Sequence, residues 1–171
     1  LREALQGLAV VTRQPRLRGL MGFVALMGMC GFTYQVLMPA FARDVIRVGT
    51  AAQTSGAAER SYGLLLSASG AGALVGALIL ATFARMRRRS RFVVIGSILF
   101  SSALYVFGSV DRFWPAMALL LLMGMGSILT SSTANSLIQT SVPHEVRGRV
   151  MGVWTLTFVG AFPVGSVVLG Y

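Results

Sequence analysis

Residues that could carry acid–base, nucleophilic or metal chemistry are scarce in this chain of 171 residues. The chain has one histidine, His144, one cysteine, Cys30, and five acidic residues. One cysteine and one histidine cannot build a zinc site of the usual kind, and Cys30 has no partner in the chain for a disulfide. His144 is not accompanied by a motif that would supply a nucleophile. We therefore expect neither an enzyme nor a metal or cofactor site.

Uncharged polar side chains inside apolar runs are the remaining candidates for contact with a ligand. Tyr34 and Gln35 share one predicted helical face, and Ser127, Ser131 and Asn135 repeat every four residues. Polar side chains are costly in lipid, so both faces should point towards other helices or towards water. One interpretation is hydrogen bonding between helices, and for the serines bonding back to their own helix is favoured. The other interpretation is the wall of a solute pathway, with Tyr34, Gln35, Ser131 and Asn135 as substrate-binding residues.

These polar residues lie in a chain whose composition is that of a membrane protein. Hydrophobic residues make up 55% of the sequence and charged residues 12%, whereas a soluble domain averages about 25% charged residues. A disordered chain and an ordinary soluble globule are both excluded. Runs of about 20 apolar residues predict spanning helices, and hence an all-α integral membrane protein. The five predicted spans are Gly19–Ala42, Tyr62–Ala84, Phe92–Val110, Phe113–Gln139 and Met151–Tyr171.

The arginines indicate the orientation of the spans. The formal net charge is +10, and all fifteen basic residues are arginine. Eleven of them fall in the N-terminal segment and in the loops after the second and fourth spans. Because cytoplasmic loops carry the excess of positive charge, this side is predicted to be cytoplasmic. The alternation along the chain argues against a nucleic-acid-binding face, and the cluster Arg85–Arg91 is expected to contact anionic lipid headgroups.

The two ends of the sequence also carry predictions. Apolar residues at helical spacing in Leu1–Thr12, followed by Pro15, predict a short amphipathic helix on the inner membrane surface. Residues 1–18 would form this cytoplasmic lead-in. The chain starts without methionine and stops within an apolar run, so we expect it to be a fragment of a longer protein.

Small residues on the second span predict close helix packing. Gly72 and Gly76 form a GxxxG pair, and small residues in lipid allow helices to approach closely. Ordinary tight packing is favoured over a sliding contact in a moving protein, although the same residues would serve both.

A charged motif follows the fourth span. It consists of Pro143, Glu145, Arg147, Gly148 and Arg149. Pro143 suits a first helical turn and Glu145 favours the N-terminus of that turn, and in our interpretation Gly148 lets the chain turn while the arginines stay among the headgroups. The string resembles the Pro-x-x-x-Arg-Gly-Arg loop of the major facilitator superfamily. Tyr62-Gly-Leu-Leu-Leu at the start of a Gly/Ala-rich helix, and the lead-in to the first span, resemble the same superfamily, most of all its bacterial drug and siderophore exporters.

The resemblance implies helices seven to eleven, a partial six-helix half of a major facilitator fold. It further implies a secondary active transporter that works by alternating access in the bacterial inner membrane, with the N-terminal half of the same chain as its partner. Tyr34, Gln35 and Asn135 would face the central cavity, and the charged motif would form a cytoplasmic latch with Arg85–Arg91. An apolar cavity with few polar groups suits export of small lipophilic solutes. A non-transporting membrane subunit or scaffold is the alternative.

Overall fold

The computed structural model of the chain describes residues 11, 12, 14–31, 34, 35, 38, 39, 57–83 and 90–169, with the backbone alone for 16, 30, 57, 58 and 161–169. These residues form helices and contain no strand, which confirms the all-α class. The helices are α1 (Pro15–Leu26), continued by a π-helical turn (Met27–Gly31), α2 (Ala57–Thr82), α3 (Ser90–Phe107), α4 (Phe113–Ser141) and α5 (His144–Leu169).

Prolines mark where three of these helices begin. Pro15 occupies the first position of α1, where its missing N–H costs nothing and its fixed φ suits a helix. Pro115 lies in the first turn of α4. Pro143 precedes α5, and its carbonyl oxygen accepts a hydrogen bond from the Val146 amide at 3.3 Å.

Three helices of the described part are long and apolar enough to cross a membrane. They are Glu59–Thr82, Ser90–Phe107 and Phe113–Ser141, and Leu17–Met29 forms a shorter apolar helix. The three long helices coincide with the second, third and fourth predicted spans. The first and fifth predicted spans include residues or side chains that the structure does not describe. Residues 1–10 of the lead-in and most of the Arg85–Arg91 cluster also lie outside the described part.

Large apolar side chains cover the outer faces of α2 and α3. Leu74 and Leu78 of α2 are 69% and 67% exposed, and Ile98 of α3 is 63% exposed. Contiguous apolar surface of this kind is unfavourable in water. It is the surface expected of helices that contact lipid tails, where such side chains lose nothing by exposure.

The chain divides into two compact units at two boundaries, after Val36 and after Thr133, and the second boundary falls within α4. The first unit comprises Leu1–Val36 and Ala134–Tyr171. In this unit α5 packs along α1 and along the π-helical turn. Its buried side chains include Leu17 and Val24 of α1, together with Ile138, Val150 and Trp154.

The second unit comprises Leu37–Thr133 and contains α2, α3 and the first part of α4. Glycines bring α2 and α4 together at the level of their backbones. A Cβ atom at Gly72 would overlap the carbonyl oxygen of Leu121, and one at Gly76 would lie 2.9 Å from the carbonyl oxygen of Met125. From the other side, a Cβ atom at Gly124 would overlap the carbonyl oxygen of Ser69.

A second glycine pair joins α3 to a different face of α4. A Cβ atom at Gly126 would lie 2.6 Å from the carbonyl oxygen of Gly96, and one at Gly96 would lie 2.6 Å from the Thr130 Oγ1 atom. Side-chain atoms do not approach this closely, so only glycine permits the spacing. Since backbone touches backbone on both faces, α4 is held between α2 and α3 with little room for adjustment.

Candidate functional site

The polar series on α4 begins with hydroxyl groups that are bonded to their own helix. The Ser127 Oγ atom donates to the carbonyl oxygen of Gly124 at 2.8 Å, and the Ser131 Oγ atom donates to that of Ser127 at 2.7 Å. Thr130, which is fully buried, donates to the carbonyl oxygen of Gly126 at 2.9 Å. A hydroxyl that donates to its own helix retains only acceptor capacity. Ser131 could therefore accept a hydrogen bond from a ligand, but its donor is already used.

Asn135, one turn further along α4, has a different arrangement. Its Oδ1 atom accepts a hydrogen bond of 2.7 Å from the Nε2 atom of Gln139. Asn135 is half-buried and Gln139 is exposed. Since α4 is helical throughout, residues four apart lie above one another on the same face. The pair therefore places two carboxamides on one face, with the Asn135 N–H2 group still available.

Tyr34 and Gln35 follow the π-helical turn and are helical in the structure. Tyr34 is half-buried and Gln35 is exposed. A π-helical turn shifts the side-chain register by about one residue relative to an α-helix, and such turns are frequent at functional sites. The sequence interpretation assumed an uninterrupted α-helix and did not anticipate this turn. Tyr34, Gln35 and Asn135 all belong to the first unit, whereas Ser131 belongs to the second.

The charged motif is helical in the structure and is not a loop. Glu145, Arg147, Gly148 and Arg149 lie in the first turns of α5, and only Val142 and Pro143 separate α5 from α4. The interpretation of Gly148 as a turning point is therefore wrong. Gly148 sits inside the helix, and a Cβ atom there would meet nothing within 4 Å. Charge at the end of a membrane helix is compatible with helical structure, because the side chains can reach the headgroups.

The acidic residue and the arginines of this motif occupy different environments. Glu145 and Arg149 are exposed, and a carboxylate in the first turn is favoured by the N-terminal end of the helix dipole. Arg147 is half-buried, and its Nε atom is buried without a hydrogen-bond partner in the described structure. The latch proposed with Arg85–Arg91 involves residues that lie mostly outside the described part.

Several contributors were not foreseen from the sequence. Gln139 was assigned only to the end of a span, although its spacing of four from Asn135 is a signal for a hydrogen bond. Gly96, Gly124 and Gly126 were not singled out, and they form the close contacts of α4 with its neighbours. Among the residues that the structure describes, no three His, Cys, Asp or Glu side chains cluster in a way that could hold a metal ion.

Comparison with known proteins shows that the chain is similar to a family of membrane proteins and to curated exporters. A family model described as transmembrane secretion effector matches residues 6–171. The enterobactin exporter of Citrobacter koseri is 32% identical over 108 residues, which is 63% of this chain and 26% of that exporter. The enterobactin exporters of Escherichia coli O139:H28 and Shigella boydii serotype 18 are each 27% identical over 173 residues, which is 99% of this chain and 38% of each exporter.

The chain thus spans well under half the length of these curated relatives, 26% to 38%. No solved structure matches it.

Proposed function

Because the chain belongs to the transmembrane secretion effector family of the major facilitator superfamily, we propose that it forms most of one half of a secondary active exporter. The exporter would lie in the bacterial plasma membrane, and the solute would be siderophore-like or a small lipophilic compound. Transport would proceed by alternating access, with a site near the bilayer midplane between two halves of one longer chain. The chain itself is a multi-pass membrane protein of a transporter family.

The observation that carries the proposal is the half-buried carboxamide of Asn135 in the polar C-terminal part of the membrane helix α4. Its oxygen is engaged by Gln139, and its N–H2 group makes no hydrogen bond to a described residue. An unpaired polar group in a membrane-spanning helix is costly. The Asn135 N–H2 group is therefore expected to form its hydrogen bonds with a ligand or with water. The hydroxyls of Ser127, Thr130 and Ser131 donate to carbonyl oxygens of α4, whereas the buried Thr133 hydroxyl and the Asn135 N–H2 group have no hydrogen-bond partner among the described residues.

The class of solute is proposed from the relatives and from the character of the helices. Three curated relatives in different bacteria are named as enterobactin exporters. None of the predicted spans contains Asp, Glu, Lys, Arg or His, and a site without charge suits a solute recognised by apolar contact and a few hydrogen bonds. The coupling ion would then be handled by residues of the remaining helices, since proton or cation coupling needs a buried ionisable group.

The test is export of enterobactin by cells that express the full-length gene in a strain lacking its own exporter. We expect release of enterobactin to saturate with its internal concentration. We expect Asn135→Ala to raise the KM roughly tenfold, since the loss of a hydrogen bond in an apolar site costs about 1–2 kcal/mol. Thr140→Val is the matched control, because Thr140 is exposed on the same helix and its hydroxyl donates to the carbonyl oxygen of Ser136 at 2.9 Å.

The outcomes separate the proposal from its alternative. An unchanged KM in the Asn135→Ala variant would remove Asn135 from the solute site. Accumulation of solute in expressing cells would reverse the direction of transport. Absence of any transport, together with stable crosslinking to other membrane proteins, would favour the non-transporting subunit or scaffold.

A further inference from the structure

The carboxamide of Asn135 can present either of two chemically opposite edges to a solute. One edge carries an acceptor oxygen and the other carries two N–H donors. The terminal torsion of asparagine is broad and roughly two-fold, so an unrestrained side chain would offer both edges. A solute site that offered both would discriminate poorly between donor and acceptor groups. The rotation of the carboxamide must therefore be restrained if Asn135 is to select between donor and acceptor groups of a solute.

Gln139 supplies that restraint in this structure. Its Nε2 atom donates to the Asn135 Oδ1 atom at 2.7 Å, which is at the short end of the range for an N–H···O hydrogen bond. With the oxygen turned towards Gln139, the N–H2 edge of Asn135 points away from Gln139 and is free to donate. The hydroxyls of Thr140 and Ser141, which follow Gln139, donate to backbone carbonyl oxygens of α4. They therefore do not compete with Gln139 for the Asn135 Oδ1 atom.

We propose that Gln139 is a positioning residue that holds the Asn135 carboxamide with its N–H2 edge towards the solute, so that the site selects solutes with exposed acceptor oxygens. This inference rests on the proposed function, because it assumes that Asn135 contacts the solute. It adds a residue and a chemical preference to that site. Gln139 itself need not touch the solute, and its side chain is exposed.

Two substitutions at position 139 separate positioning from simple support of the helix. Gln139→Met keeps the length and removes the donor, so Asn135 is free to rotate and about half of its population presents the wrong edge. Gln139→Glu keeps the shape and offers only acceptors, so the Asn135 N–H2 group should turn towards the introduced carboxylate. The oxygen of Asn135 would then face the solute, and an acceptor oxygen there would be repelled.

The experiment measures the KM and the maximum rate of enterobactin export by the full-length transporter, with the abundance of each variant in the membrane as a check. We expect the KM to rise about twofold in Gln139→Met and roughly tenfold in Gln139→Glu, with the maximum rate per transporter unchanged. Thr140→Val should leave both quantities unchanged. Combining Asn135→Ala with Gln139→Met should give the KM of Asn135→Ala alone, because a positioning residue has no effect once its target is removed.

Each alternative result has a distinct meaning. If Asn135→Ala raises the KM while both Gln139 variants match the parent, the positioning role is wrong and the solute site stands. If Gln139→Met lowers the abundance or the maximum rate and leaves the KM unchanged, Gln139 only supports the helix and the inference is overturned. If Asn135→Ala has no effect on the KM, or if the parent does not export enterobactin, the site itself fails and the inference fails with it.

Discussion

Replacing Gly72 with alanine is expected to push α2 away from α4 and to destabilise the second unit. The added Cβ atom would overlap the carbonyl oxygen of Leu121, and it would lie 2.7 Å from the carbonyl carbon and 2.9 Å from the Cα atom of the same residue. All three are backbone atoms, which cannot rotate aside as a side chain could. The helices must therefore separate to accommodate a single methyl group.

The size of the effect follows from the separation required. Ordinary contact begins near 3.4 Å, so the Cβ atom and the Leu121 carbonyl oxygen must move apart by about 1.5 Å. A gap of about 1 Å already forfeits up to half of the van der Waals attraction between the atoms involved. Forcing a methyl group into a closely packed interface costs about 1–3 kcal/mol. Expressed as an equilibrium, this is a change of roughly 5- to 150-fold between folded and unfolded protein.

A matched control comes from the same helix. Gly70 lies one half-turn from Gly72, and a Cβ atom at Gly70 would meet nothing within 4 Å. Alanine at either position improves the helix propensity of α2 by the same amount, about 1 kcal/mol. The difference between Gly70→Ala and Gly72→Ala therefore isolates the contact with α4.

The assay is thermal unfolding of the purified full-length transporter in detergent, with all variants at one scan rate because membrane proteins often unfold irreversibly. Gly70→Ala should melt at or above the parent temperature and Gly72→Ala clearly below it. Adding Gly124→Ala to Gly72→Ala should cost less than the sum of the single effects, since the first substitution has already separated the helices. Equal melting of the Gly70 and Gly72 variants would refute the backbone contact.

Three other expectations follow from the packing and from the charge distribution. Gly126→Ala should destabilise the protein by about 1–3 kcal/mol, since its Cβ atom would lie 2.6 Å from the Gly96 carbonyl oxygen, whereas Gly63→Ala should not, and a thermal melt distinguishes them. Thr133→Val should raise the melting temperature, because the Thr133 Oγ1 atom is buried without a hydrogen-bond partner and valine keeps the shape without the unpaired polar group; a lower temperature would indicate a partner. In a background free of other cysteines, Ser109→Cys should react with an impermeant maleimide in intact cells and Ser141→Cys only after permeabilisation; the reverse pattern would invert the predicted orientation.

The sequence predicted the long helices well because apolar run length is a local property. The runs within α2, α3 and α4 are each long enough to span a bilayer, and their lengths can be counted without knowing the fold. The fifth predicted span begins at Met151, whereas α5 begins at His144, for a physical reason. Hydropathy marks the part of a helix that lies in lipid, whereas α5 extends back to His144 through Glu145, Arg147 and Arg149.

The candidate site was predictable only as far as spacing within one helix could reveal it. The repeat of Ser127, Ser131 and Asn135 follows from the helical period, and the pairing of Asn135 with Gln139 could have been found by the same rule. The helix that packs against Gly72 could not be predicted from the sequence, because it depends on tertiary packing. The sequence contains the glycines of both faces of α4, but only the structure assigns them to α2 and α3.

The connection between α4 and α5 is short, and it joins the candidate solute site to the charged motif. It consists of Val142 and Pro143, and Val142 is itself buried. A rotation of the end of α4, where Gln139 is bonded to Asn135, would therefore be expected to move the first turn of α5 and its arginines. Binding of a solute at the Asn135 carboxamide and the position of the arginines at the membrane surface would then change together.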